Sequence, residues 1–141
     1  MKDASWSDCL ENQSAVKVSS DNERAKSLIE TAEERLELIK TINEKNANFV
    51  FEDYYTSILE LLQALVIKKG YKVTNHVCLG YYLRDILKKD DLFRIFDDCR
   101  FKRNSLIYYG KRMEFETAKN AIEKSKRLFR ELKNILLDFK T

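Results

Sequence analysis

The segment Arg100-Phe101-Lys102-Arg103-Asn104-Ser105-Leu106-Ile107-Tyr108-Tyr109-Gly110-Lys111-Arg112 gathers five basic residues, an asparagine and two tyrosines. A guanidinium grips phosphate through two parallel hydrogen bonds. An amide and a phenol add neutral donors, and aromatic rings beside cations stack on bases. The segment points to a phosphate-bearing ligand, with Arg103, Asn104, Tyr108 and Tyr109 as leading candidates and Arg100 and Lys102 beside them. The plainer reading is a solvated basic face, since the C-terminal end of a helix favours cations. Cys99 and Arg103 are four residues apart and share a helical face, with Leu106 and Ile107 adjoining it. Arg103 therefore lies at the margin of an apolar stripe, where it pairs with an acid such as Asp53, lines a cleft, or enters a dimer interface.

His76 is the one histidine of the chain. It falls at the start of a helix, where the dipole disfavours an imidazolium. It is a weaker candidate, because a role in chemistry requires that it reach Arg103 in space. Tyr54-Tyr55, Tyr81-Tyr82 and Tyr108-Tyr109 are adjacent pairs; successive residues on a helix are rotated by about 100°, so one ring of each pair can enter the core while the other points elsewhere. The acids Asp90-Asp91 and Asp97-Asp98 have spacings that capping and solvation explain. The sequence has no Gly-rich phosphate loop, no His-Glu-x-x-His and no Ser-centred nucleophile elbow.

The elements that must hold these groups follow from composition. With no proline and 3 glycines in 141 residues, little in the chain forbids helix. A hydrophobic fraction of 44% supports a core, while 35% charged residues suit the wet faces of long helices. A net charge of +3 neither demands nor excludes nucleic acid. Three cysteines, Cys9, Cys78 and Cys99, with one histidine and no Cys-x-x-Cys, make a metal site of the usual Cys/His kind improbable. They are expected as free buried thiols in a reducing cytosol. No cofactor, secretory leader or membrane span is expected, and the localisation expected is cytoplasmic.

Residues 1–20 form a polar arm with a helical turn near Trp6 to Asn12, Trp6 docking on the rest. Residues 21–141 carry the helices. Ala25, Leu28, Ile29, Ala32, Leu36 and Ile39 recur at steps of three and four behind the cap candidates Ser20 to Asn22. A helix from about Val50 to Lys69 is apolar on more than one side and ends at Gly70. Thr74 or Asn75 caps a third that closes at Lys88-Lys89, Asp90-Asp91 starts a fourth that stops at Gly110, and a fifth runs from Phe115 to Phe139. The fold class is all-α, an antiparallel up-and-down bundle of four to five helices.

Arg103-Asn104, a short apolar step, then Tyr108-Tyr109-Gly110 resembles the Arg-x(4–6)-His motif of the HEPN family (higher eukaryotes and prokaryotes nucleotide-binding). Phe51-Glu52-Asp53-Tyr54-Tyr55, Leu62-Gln63-Ala64-Leu65, Gly70-Tyr71 and Asn75-His76-Val77-Cys78-Leu79 look like further HEPN helices. The resemblance covers roughly Asn22 to Phe139. It implies a helical bundle that dimerises, its motif Arg and His meeting in a shared cleft. Some members cleave RNA without metal, some act beside a small nucleotidyltransferase as a toxin–antitoxin pair, and some only bind nucleotides. Here the histidine position falls on Tyr108, Tyr109 or Gly110, none of which is histidine. Phenol, with a pKa near ~10, replaces an imidazole that titrates near neutrality.

Binding survives that replacement better than cleavage. The expected function is a HEPN-like homodimeric module that binds nucleotide or RNA, or a partner nucleotidyltransferase. The alternative is a metal-independent ribonuclease, the toxin of a two-gene pair, with Tyr108 or His76 in place of the histidine; a plainer option is a helical adaptor.

Overall fold

The computed structural model describes residues 4–138. Its elements are α1 (Trp6–Glu11), β1 (Ala15–Lys17), α2 (Asn22–Glu37), α3 (Ala47–Lys68), β2 (Tyr71–Val73), α4 (His76–Tyr81), α5 (Asp90–Tyr109) and α6 (Phe115–Asp138). A π turn, Tyr82–Ile86, continues α4. The fold is all-α, with one small ribbon added. Among the described residues, no helix is long and apolar enough to cross a membrane.

The helix that is apolar on more than one side, α3, is the centre of the bundle: twelve of its 22 residues are buried, from Ala47 to Ile67. It packs against α2 on one side and α6 on another. On α2 the buried residues are the small Ala25 and Ala32. They let the backbones approach closely enough for the Ser57 hydroxyl to donate to the Ala32 carbonyl at 3.1 Å. Arg35 of α2 pairs with Glu60 of α3 at 2.7 Å, and Lys133 of α6 pairs with Glu33 of α2. The seam of α6 is buried at Ala118, Ile122, Ser125, Leu132 and Leu136 as its spacing predicts, with Phe115 and Phe129 partly covered. Phe139, the last position of that seam, lies outside the described residues.

The helix ends follow local chemistry. Asp21 caps α2 by accepting from Arg24 N–H at 2.9 Å, and Asn75 caps α4 by accepting from Val77 N–H at 3.1 Å. Gly70 follows α3 with φ +84°, and a Cβ there would lie 2.9 Å from the Val18 carbonyl oxygen, so both the turn and the close approach require glycine. Asn48 ties the stretch between α5 and α6, exchanging two hydrogen bonds with the Met113 backbone at 2.9 and 3.1 Å.

Four expectations are corrected. The helix begun at Asn22 stops at Glu37, short of the polar stretch Asn43 to Asn48 where the sequence places its end. The helix over Asn75 to Lys89 is α-helical only to Tyr81, then widens so that Leu87 N–H donates five residues back to Tyr82 O. This wider turn carries Asp85 to α1, where it accepts from Trp6 N–H at 2.8 Å. Two strands were not expected: β1 pairs antiparallel with β2, Val16 opposite Lys72, and three-residue strands are too short to show alternation. The cysteines are not all free: Cys9 and Cys78 form a disulfide, and only Cys99 is a free buried thiol. An odd count hid this, because two of the three pair across 69 residues of sequence.

Trp6 is buried, as expected, with its ring edge-on to Tyr71 at 5.3 Å and to Tyr82 at 4.9 Å. The N-terminal segment thus lies on the bundle through an aromatic cluster, a disulfide and a ribbon.

Candidate functional site

Three segments meet around an open cleft of about 500 Å³. Ser14, just before β1, forms one wall. It is held against Thr74, whose N–H and hydroxyl both donate to the Ser14 carbonyl at 2.9 and 3.3 Å. Thr74 to Val77, at the start of α4, form the second wall, and Arg100, Arg103, Asn104 and Tyr108 of α5 form the third. Positions 100, 103, 104 and 108 recur at helical spacing, so one face of α5 supplies them all.

The fold therefore brings His76 to Arg103. Tyr55 of α3 joins them from below. Its buried ring stacks on Phe96 at 5.9 Å and carries the Arg103 guanidinium over its face at 5.4 Å. Its hydroxyl lies 3.4 Å from His76 Nδ1. Burial pushes the Tyr55 phenol well above its ordinary value, so it keeps its proton throughout the working range. When the phenol donates, His76 carries its own proton on Nε2; when Nδ1–H donates, Nε2 is left basic. Either way one imidazole nitrogen remains for a ligand.

The His76 pKa is lowered first by burial, then by Arg103 and Arg100. The cause differs from the helix dipole anticipated above. A folded-state pKa below the unfolded value near ~6.5 means that the unfolded chain binds the extra proton first. This contribution to stability is complete above about pH 6.5 and is lost as pH falls through that value toward the folded one. Because His76 is the sole histidine, urea midpoints should fall between pH 7.5 and 5.5, and His76→Gln should flatten that slope.

The candidate cations divide. Arg100 lines the cleft but is held by Asp97 through Nε and Nη2 at 3.2 and 2.9 Å. Lys102 pairs with Asp98 at 2.6 Å and is not among the cleft residues. Arg103 is half-buried and, among the described residues, has no carboxylate partner; its guanidinium lies over the Tyr55 ring. Asp53, one partner considered for it, lines a separate groove with Arg35 and Lys40. The Asn104 side chain and the Tyr108 hydroxyl have no hydrogen-bond partner among the described residues, and Tyr108 is 68% exposed at the cleft rim. Tyr109 is exposed as well, outside the cleft.

Sequence reasoning missed Ser14, Thr74 and Tyr55 as parts of the site. Tyr55 carried a weak signal as one of an adjacent pair on the most apolar helix; Ser14 carried none. Among the described residues, no group of three His, Cys, Asp or Glu side chains is placed to hold a metal ion.

No protein-family model, curated protein or solved structure matches the chain. The site offers a guanidinium with no carboxylate partner among the described residues, a neutral imidazole, an amide, a rim phenol and hydroxyls around an open space. Such a set suits a phosphate oxygen cluster better than a neutral apolar ligand.

Proposed function

We propose that the chain is a HEPN-like module that binds a phosphate-bearing ligand, nucleotide or RNA, in the cleft between α4 and α5. The observation that carries this reading is Arg103, held half-buried on an aromatic face beside His76 with no carboxylate partner among the described residues. A guanidinium kept free of carboxylates is available for a bidentate phosphate contact. Tyr108 and the neighbouring Tyr109, both exposed, suit base stacking at the rim. In this reading a second copy of the chain covers exposed apolar residues such as Leu38, Phe49 and Ile107, and a nucleotidyltransferase is the alternative partner.

The test is binding of a fluorescein-labelled oligouridylate RNA to the parent and to Arg103→Ala. One charged hydrogen-bond pair contributes about 1.5–3 kcal/mol, so affinity should fall roughly 10- to 100-fold while the helical circular dichroism stays unchanged. Parent binding should weaken with added salt, and the variant should show a shallower salt dependence. A variant isotherm superimposed on the parent's would overturn the assignment.

One observation favours a second reading, metal-independent ribonuclease. His76, neutral and beside Arg103, can accept the proton of a ribose 2′-hydroxyl as that oxygen attacks the adjacent phosphorus; the P–O5′ bond breaks, the 5′-oxygen leaves with a proton from water, and a 2′,3′-cyclic phosphate remains. The same RNA incubated with concentrated protein in chelator separates the two: intact RNA leaves binding alone, whereas cleavage lost in His76→Gln selects the enzyme.

A further inference from the structure

The Cys9–Cys78 disulfide joins two walls of the cleft. Cys9 stands five residues before Ser14, and Cys78 two residues after His76. Besides this bond, the N-terminal segment is held by the Trp6 ring, by the Trp6 N–H donated to Asp85, by Arg84 donating to the Ala4 carbonyl at 2.9 Å, and by the ribbon with its Thr74–Ser14 and Val18–Gly70 hydrogen bonds. A two-stranded ribbon has little stability of its own in water. What the disulfide adds is a covalent limit on how far the Ser14 wall can move from the His76 wall.

Resting on the reading of this cleft as the binding site, we infer that the Cys9–Cys78 couple is a redox latch on it. A dithiol reductant opens the latch. One of its thiolates attacks a cysteine sulfur, forming a mixed disulfide and releasing the other cysteine as a thiolate. The second reductant thiolate then displaces the remaining cysteine. Two electrons pass to the protein, the two cysteines take up protons, and the reductant leaves as its own cyclic disulfide. Both cysteines are fully buried, so the N-terminal segment must lift before a thiolate can reach either sulfur. Ligand bound against Ser14 and Thr74 opposes that lifting. By reciprocity, the redox state that binds ligand more tightly is the one that ligand protects.

The experiment compares oxidised protein with protein reduced by dithiothreitol, using the same labelled oligouridylate. Thiol titration under denaturing conditions should rise from one to three, since Cys99 alone is free at the start. Reduction should weaken binding about tenfold, as when the closed cleft falls to about a tenth of molecules. Helical circular dichroism should persist, reoxidation should restore affinity, and saturating RNA should slow reduction. Cys9→Ser should bind at the reduced affinity with or without dithiothreitol. Reduced protein that binds like the oxidised form overturns the latch. So does loss of the helical signal on reduction or in Cys9→Ser, because the bond is then a staple of the whole fold. Oxidised protein that fails to bind RNA sinks the binding reading itself, a separate outcome.

Discussion

Replacing Tyr55 by alanine is expected to unfold the chain at markedly lower denaturant and to abolish binding at the cleft. The ring is 1% exposed, stacked on Phe96 of α5 and flanked by Arg103 of α5 and His76 of α4. Truncating a buried aromatic to alanine costs about 3–5 kcal/mol, through lost transfer energy and the cavity left behind. Typical domains have only about 5–15 kcal/mol in total. The same change removes the surface on which Arg103 lies and the hydroxyl beside His76. Tyr55→Phe separates the two effects. It keeps the stack and the bed for Arg103 and loses only the hydrogen bond to His76, a change of about 1 kcal/mol in stability. If Tyr55→Phe binds RNA as the parent does, His76 needs no orienting partner. If it binds weakly with its fold intact, the hydroxyl positions the imidazole. Urea titrations and binding isotherms on both variants read the outcomes.

The second large effect is loss of the disulfide. Cys9→Ser combined with Cys78→Ser should lower stability by up to about 4 kcal/mol, the chain-entropy cost of opening a loop closed across 69 residues. For a domain of this size that is a fall in Tm of roughly 10–15 °C by differential scanning calorimetry. The full loss is reached only if the N-terminal segment stays docked without the bond; a shortfall measures how far the native state relaxes. A Tm unchanged from that of the oxidised parent would mean that the bond contributes nothing. The disulfide also changes an inference about the chain's surroundings. Three cysteines were one reason to expect a reducing compartment, and with two of them joined that reason falls away.

The helices were legible because their signals are periodic and local. The α6 seam, an α3 apolar on more than one side and a cap at Thr74 or Asn75 each follow from residues within a few positions of one another. The walls of the cleft were legible only in part. Arg103, Asn104 and Tyr108 stood out as types at helical spacing, but their meeting with His76 depends on how α4 crosses α5. Ser14 lies 60 residues from the threonine that holds it, and no local pattern encodes such a pairing. The break of α4 into a π turn was equally hidden: the contact it makes, Asp85 accepting from the Trp6 N–H, lies 79 residues away in sequence. The Cys9–Cys78 pair was missed for a related reason: spacing reveals cysteines that are neighbours in sequence, not those that the fold makes neighbours.

The bed of Tyr55 beneath Arg103 bears on how tightly a ligand can be held. A long side chain free in solvent must be ordered when its partner arrives, at about 0.5–1.5 kcal/mol for each rotamer-rich group. Arg103 is half-buried and rests against a ring that is itself fixed between helices, so part of that ordering is complete before any ligand enters. Preorganisation of this kind shifts part of the entropic cost of recognition from the binding step to the folding step. It also narrows the region of space in which a phosphate can meet the charge of Arg103.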